Sequence, residues 1–408
     1  MRCTLLGLLL ALWMSLGLCY AVPAQTSVQA VYGGALTCDP ALVTCGAFPV
    51  SGAFLCNGTG GILDCPQWFA PDFADTTGLR FFGITNRTNP PRCVQSTDGG
   101  TVWGLCPSNP FVAAVDILGA FFTVASDGSL LSAAEQGANN CIIRRSTDYG
   151  ISWATVYTDT TAGVSCGVGF GSPTTNNMHC AQTGGYCVTV GRDGAFDLWA
   201  IYSTDNGLNW TKGVAFTIVN GNAQVSVKTN GANGSLTRLA VNYGGAQPLG
   251  EQIVSDWDNT GATPLPVGAT GTGASGAAAF LFNGVESVIL GPVNVPVTVH
   301  SRYTIAGGVP VEAAQFIPAG APAFANGPNF MAHSFGSIGY FITRNIATTT
   351  VNIYMTLDSF DTVTLTQSLT PATALIANCC VGDIHTWNGK IYFTGAGVGS
   401  TAWLIRIQ

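Results

Sequence analysis

Ser96-Thr97-Asp98-Gly99-Gly100-Thr101-Val102-Trp103 is written again, with small changes, at Ser146-Thr147-Asp148-Tyr149-Gly150-Ile151-Ser152-Trp153 and at Ser203-Thr204-Asp205-Asn206-Gly207-Leu208-Asn209-Trp210. The shared frame is Ser-x-Asp-x-Gly-x-x-Trp, and its parts describe a tight turn between two strands. An aspartate side chain accepts hydrogen bonds from backbone N–H groups two or three residues on, glycine supplies a positive φ, and serine secures the strand end. The tryptophan then folds back as an apolar wedge on a neighbouring sheet, its N–H available to a partner. Asp98, Asp148 and Asp205 are therefore expected to build turns and not to act as catalytic acids.

The copies start 50 and then 57 residues apart, and a degraded fourth, Thr356-Leu357-Asp358-Ser359-Phe360, starts 153 residues after Ser203, room for three units of the same length. Units repeated at such a period cannot bury their apolar faces alone and must stack on one another. Strand-like runs precede the turn positions at 92–95, 141–145, 198–202, 251–255, 298–302 and 352–356, and a seventh runs from Ala402 to Ile407. Upstream of each, two short runs meet at a turn containing glycine. These turns fall at Thr77-Gly78, Leu118-Gly119, Gly184-Gly185, Asn230 to Gly234, Asn283-Gly284, Phe335-Gly336 and Asn388-Gly389. Asn-Gly between apolar or alternating runs is the strongest short hairpin signal.

The repeated frame, with Ser96, Asp98, Gly100 and Trp103, Ser146, Asp148, Gly150 and Trp153, and Ser203, Asp205, Gly207 and Trp210, resembles the Asp-box, or BNR repeat, of sialidases and related β-propellers. Asp358 marks the degraded copy. The resemblance implies an all-β chain forming a seven-bladed β-propeller of four-stranded antiparallel blades. It also implies that each repeated turn joins the third and fourth strands of a blade, away from the ligand-binding face. The chain stops at the third strand of the seventh blade, so the N-terminal segment is expected to pair with that blade, closing the ring and removing the open edges that invite aggregation. The closing strand is expected within Ser27 to Gly34 or within Cys45 to Ser51.

Residues 1–24 read as a secretory signal peptide, with Arg2 ahead of an apolar run from Leu5 to Leu18 and cleavage after Ala24 or Ala21. That run is shorter than the roughly 20 residues a spanning helix needs. Residues 25–408 then form a single propeller domain, secreted and extracellular, or periplasmic in a bacterium, with no membrane span. A net charge of −7 and only three lysines argue against nucleic acid, whose phosphates require cations. Of 14 cysteines, twelve lie beyond the signal, an even number in an exported chain, so disulfides are expected. Cys93 and Cys106 are equidistant from the first repeated turn, and Cys180 and Cys187 from Gly184, so each pair faces across adjacent strands; Cys141 with Cys166 is a third pairing. The Cys-x-x-Cys spacing of zinc sites is missing, so neither a metal nor a cofactor is expected. Asn57, Asn86, Asn209 and Asn233 head N-glycosylation sequons.

In a propeller the first strand of each blade lines the axial channel, and ligands bind on the face made by the second-to-third-strand and blade-to-blade loops. Mapped onto this scheme, Asp72, Asp75, Asp116, His179, Lys228, His333, Asp383 and His385 fall on first strands. Arg87, Arg92, Glu135, Arg192, Asp193 and Arg344 fall on loops of the binding face. Glycoside hydrolysis needs two carboxyl groups of different pKa, and sialidases, by resemblance, clamp the sugar carboxylate with three arginines, a bidentate task. Asp116, Asp383, Arg87, Arg192 and Arg344 are thus the catalytic candidates, and His179, His333, Asp193 and Glu135 the ligand-binding ones. The chain departs from the sialidase pattern: the Arg-Ile-Pro signature is absent, there are four glutamates in all, and no Tyr-Glu pair stands near the end. The expected function is therefore glycan binding without turnover, with a sialidase-like exo-glycosidase and a structural surface or virion component as alternatives. The oligomeric state is not readable from the sequence.

Overall fold

The computed structural model describes residues 28–32, 36–38, 68–84, 90–99, 104–112, 120–136, 140–159, 166, 176–192, 197–213 and 216–217, and, from residue 223 onward, the strands named below. These hold thirty strands and no helix, so the protein is all-β, as the repeat implies.

The described strands form seven antiparallel sheets in chain order. Sheet I contains Trp68–Pro71, Phe81–Ile84, Cys93–Ser96 and Gly104–Leu105, and sheet II contains Phe121–Val124, Leu130–Glu135, Cys141–Ser146 and Ala154–Asp159. Sheet III contains Met178–Cys180, Cys187–Arg192, Asp197–Ser203 and Thr211–Lys212, with Phe216–Thr217 also on its third strand. Sheet IV follows with Ala223–Asn230, Leu236–Tyr243, Gln252–Asp256 and Leu265–Val267, and sheet V with Ala278–Phe282, Glu286–Leu290, His300–Ala306 and Val309–Phe316. Sheet VI has Phe330–Phe335, Ile338–Asn345, Thr350–Thr356 and Thr364–Pro371, and sheet VII has Val381–Trp387, Lys390–Ala396 and Ala402–Ile407. Every third strand overlaps a run expected from the sequence.

The start of the chain completes the last two sheets. Val28–Tyr32 pairs antiparallel with Ala402–Ile407, Val28 facing Ile407 and Tyr32 facing Leu404. Of the two expected places for such a strand, this is the first; Cys45 to Ser51 lies outside the described residues. Leu36–Cys38 pairs with Thr364–Pro371 as a fifth strand of sheet VI, which the sequence did not suggest. The first strands of neighbouring sheets touch in order from I to VII, and that of sheet VII touches that of sheet I.

The core lies in the seams between sheets. Successive side chains of a strand point to opposite faces, and Leu130–Glu135 uses both. Leu130 and Ala134 join Trp68, Phe82 and Phe122 against sheet I, while Leu131 and Ala133 join Phe121, Met178 and Ile201 against sheet III. Burial of each such large side chain contributes roughly 1.5–3 kcal/mol, which is why a sheet with two apolar faces is stable only between two others. Disulfides brace the first three sheets: Cys93–Cys106 and Cys180–Cys187, the two pairings expected from the hairpins, and Cys141–Cys166, the third expected pairing.

One hairpin turn is not where the spacing suggested. The first strand of sheet II begins at Phe121, and its turn is Ala125 to Ser129, closed by Ala125 N donating to Ser129 O at 2.8 Å and by Gly128 at φ 83°. Leu118-Gly119 therefore precedes the sheet, and Asp116, expected on a first strand, lies ahead of it, outside the described residues.

Candidate functional site

In an up-and-down antiparallel sheet, the first-to-second and third-to-fourth connections share one end, here called the turn end. The second-to-third connection marks the other, the far end. Contacts between neighbours tie the turn end together. Gly99 N donates to Leu79 O at 2.8 Å, Asn206 N to Gly185 O at 2.8 Å, and Ser126 Oγ to Asn206 Oδ1 at 2.8 Å.

The repeated aspartates face their own turns. Asp148 Oδ1 accepts from Ser146 Oγ at 2.8 Å and Ser152 N at 2.9 Å, and Oδ2 from Ser152 Oγ at 2.6 Å. Hydrogen bonds from the Ser152 side chain, the Ser152 N–H and Ser146 hold its pKa down to about 2. Asp205 Oδ1 accepts from Ser203 Oγ at 2.7 Å, Leu208 N at 3.1 Å and Asn209 N at 2.9 Å, and Oδ2 from Asn209 Nδ2 at 2.6 Å. Burial alone would raise its pKa, but donors from Asn209, Ser203 and Leu208 outweigh it and hold the carboxyl below the usual range. In the first copy Ser96 Oγ donates to Asp98 Oδ1 at 2.8 Å. Gly150 N and Gly207 N each donate to the serine four residues earlier at 2.9 Å. Trp153 Nε1 donates to Ser108 O, just after the last strand of sheet I, at 3.3 Å, while Trp210 Nε1 returns to Gly207 O at 2.9 Å. Gly100, Trp103 and Asp358 lie outside the described residues.

Asp72 and Asp75, expected on a first strand, stand instead in the turn that follows it. Asp75 accepts from Thr77 N at 3.0 Å, Thr77 Oγ1 at 2.8 Å, Leu79 N at 3.0 Å and Arg80 N at 2.8 Å. Burial pushes its pKa up, and these donors, the Thr77 hydroxyl first, bring it below the usual value. Asp72 is fully buried, accepts from Ala74 N at 3.0 Å and lies 3.4 Å from Arg80 Nη1; burial raises its pKa, which Ala74 and Arg80 only partly offset. Both carboxylates organise the same end as the repeated turns.

His179, His333, Asp383, His385 and Lys228 do lie on first strands. His385 is not turned to an open axis: it is buried, its ring edge-on to Phe69 at 5.1 Å in the seam between sheets VII and I. His179 is half-buried.

Three charged candidates share a place at the far end. Glu135 is the last residue of the second strand of sheet II, paired with Cys141; Arg192 is the last of the second strand of sheet III, paired with Leu198; Arg344 is next to last in that of sheet VI, paired with Val351. Glu135 was expected in a loop but is a buried strand residue, on the strand face of Leu131 and Ala133 that meets sheet III. Arg87 and Asp193 fall outside the described residues; Arg92 immediately precedes the third strand of sheet I.

Two polar arrangements were missed by the sequence reading. Asn176, buried at the far end of sheet III, donates from Nδ2 to Phe122 O at 2.6 Å and accepts from Phe122 N at 3.4 Å, so its amide pairs with the first strand of sheet II. Its only sequence signal is the Asn176-Asn177 pair ahead of a strand. Asp159 of sheet II meets Lys212 Nζ of sheet III at 2.8 Å and accepts from Tyr157 Oη at 3.3 Å, and Lys212 sits 4.0 Å from the Trp199 ring centre. Burial and the Asp159 charge push the Tyr157 phenol well above its usual pKa, in keeping with its role as hydrogen-bond donor to Asp159. Among the described residues no three His, Cys, Asp or Glu side chains group to hold a metal, and no helix is long and apolar enough to cross a membrane.

No family model and no curated protein matches the sequence. Solved structures do. The polysaccharide lyase Uly1 is similar over 93% of this chain and 98% of its own, at 12% identity and a TM-score of 0.50. The SapL1 lectin, solved with alpha methyl fucoside, covers 75% of this chain and 96% of its own at 13% identity and a TM-score of 0.42. The six-bladed β-propeller lectin of Aleuria aurantia covers the same shares at 14% identity and a TM-score of 0.44. At such identities the likeness concerns fold and not chemistry.

Proposed function

We propose that the seven sheets are the blades of one secreted Asp-box β-propeller, latched by the Val28–Tyr32 strand, which binds a glycan at its far end without turning it over. One observation carries this reading: Glu135 and Arg192 end the second strands of sheets II and III, and Arg344 stands one residue from the end of that of sheet VI. Arginine offers paired donors suited to sugar carboxylates and hydroxyls. The repeated aspartates, by contrast, have their acceptor capacity engaged by their own turns at the other end, which supports a structural role for them. The cyclic contact of first strands supports a closed ring, and three disulfides suit an oxidising compartment reached through residues 1–24.

The test is a glycan array probed with the full chain, followed by titration of Arg192→Ala and Arg344→Ala against the best ligand. Loss of binding in both variants with an unchanged melting temperature is the expected result. Turnover of a fluorogenic sialoside, abolished by Arg192→Ala or Asp383→Ala, would replace binding with hydrolysis. Retention of no glycan together with self-assembly in solution would favour a structural component.

A further inference from the structure

The turn end carries a second feature, unrelated to the far end. The sixth position of the repeated phrase is aliphatic in the second and third copies, Ile151 and Leu208, and is Thr101 in the first. Nothing in the turn requires this, because Ile151 is 61% and Leu208 54% exposed. Large apolar side chains grouped on a surface mark an interaction site, whereas scattered ones do not. Here they stand on the turns of three consecutive sheets at one end. Leu79, 46% exposed, lies beside the first copy through its bond from Gly99, and the neighbouring Arg80 guanidinium lies 4.3 Å from the ring centre of Tyr149, two residues before Ile151. Ser126 and Arg145 of sheet II bond to Asn206, two residues before Leu208.

Tyr149 adds an independent sign. It stands where the other copies have Gly99 and Asn206, and all three have positive φ, 59° for Tyr149. Glycine and asparagine adopt this region readily, while a bulky side chain does so at an energetic cost that structures retain mainly at functional places. The ring remains 48% exposed, its inner part stacked on Phe82 at 6.1 Å. A strained, half-open aromatic between aliphatic neighbours has the character of an interface anchor.

Charge selects the occupant. Asp75, Asp98, Asp127, Asp148 and Asp205 share this end with two arginines, Arg80 and Arg145, so the apolar group lies in a negative field. A second copy would bring the same excess of carboxylates against it, and like charges across an interface oppose association. We propose that the turn end of sheets I to III is a docking surface for a basic, amphipathic polypeptide segment, with Tyr149, Ile151 and Leu208 as its apolar anchors.

Fluorescence anisotropy on the full chain tests this with a labelled amphipathic Lys/Leu peptide and its Glu/Leu counterpart, at low and at high salt. The Lys/Leu peptide is expected to bind, more weakly as salt rises, and the Glu/Leu peptide not to bind. The double variant Ile151→Ser/Leu208→Ser is expected to weaken binding by about tenfold or more, while Ile151→Val/Leu208→Met retains it. Both positions are solvent-facing, so equal melting temperatures check that the fold is intact. Equal binding by the serine variant and the parent would overturn the proposal. So would a parent chain that sediments as a dimer and becomes monomeric on the serine substitutions, because the occupant would then be a second copy.

Discussion

Gly150→Ala is the most exposing single change to the seam between sheets I and II. Gly150 has φ 79°, and a Cβ there would lie 2.8 Å from Cys106 Cβ, 3.2 Å from Cys106 Sγ and 3.3 Å from Cys93 Sγ. Left-handed backbone in an L-residue costs about 1–2 kcal/mol, and overpacking a filled site about 1–3 kcal/mol. The disulfide is cross-linked on both sides and cannot swing aside as a free side chain can, so the two add to roughly 2–5 kcal/mol. Urea unfolding followed by tryptophan fluorescence reads the loss as a lower midpoint at constant slope. Gly104→Ala is the matched control, since nothing lies within 4 Å of its added carbon. Gly207→Ala meets the terminal carbons of Leu131, which can rotate, and is expected between the two. A Gly150→Ala protein as stable as Gly104→Ala would refute the view that the repeated turn of one sheet presses on the disulfide of the next.

Ser203→Ala removes a hydroxyl that bonds both Asp205 and the buried Gly207 N–H, and is expected to destabilise by about 1–3 kcal/mol in the same assay. The Asp148 carboxyl, with its pKa lowered to about 2, favours the folded turn fully above the unfolded value near 3.8 and loses that contribution as pH falls from there toward 2. Asp148→Asn should accordingly flatten the acid limb of a stability-versus-pH curve in that window and leave its neutral part nearly parallel. Lys212→Met strands the nearly buried Asp159 carboxylate and is expected to destabilise by about 2 kcal/mol, most of it recovered in Lys212→Met/Asp159→Asn.

Much of the architecture was legible because it is local. The third strands and two of the disulfides follow from residues fewer than fifteen positions apart, where turn chemistry fixes which side chains face each other. The misplaced turn in sheet II is instructive. The repeat spacing points to Leu118-Gly119, whereas the turn is built on Asp127-Gly128, the stronger turn dipeptide. Asp72 and Asp75 fall outside the channel strand because that strand, Trp68–Pro71, is only four residues long and ends before them. The far-end group was only partly legible. Glu135, Arg192 and Arg344 lie 57 and 152 positions apart, and their common place depends on each strand's register, which no spacing in the chain encodes. Glu135 in particular reads as a solvent-facing loop residue, and its burial comes from the neighbouring sheet.

Each described disulfide closes a short loop, of 13, 25 or 7 residues, within the segment of a single sheet. Each of these covalent bonds can therefore form locally, without waiting for the two termini to meet. None of these three bonds joins one of sheets I, II and III to another. A reductant would accordingly soften the individual sheets while leaving their mutual order in place.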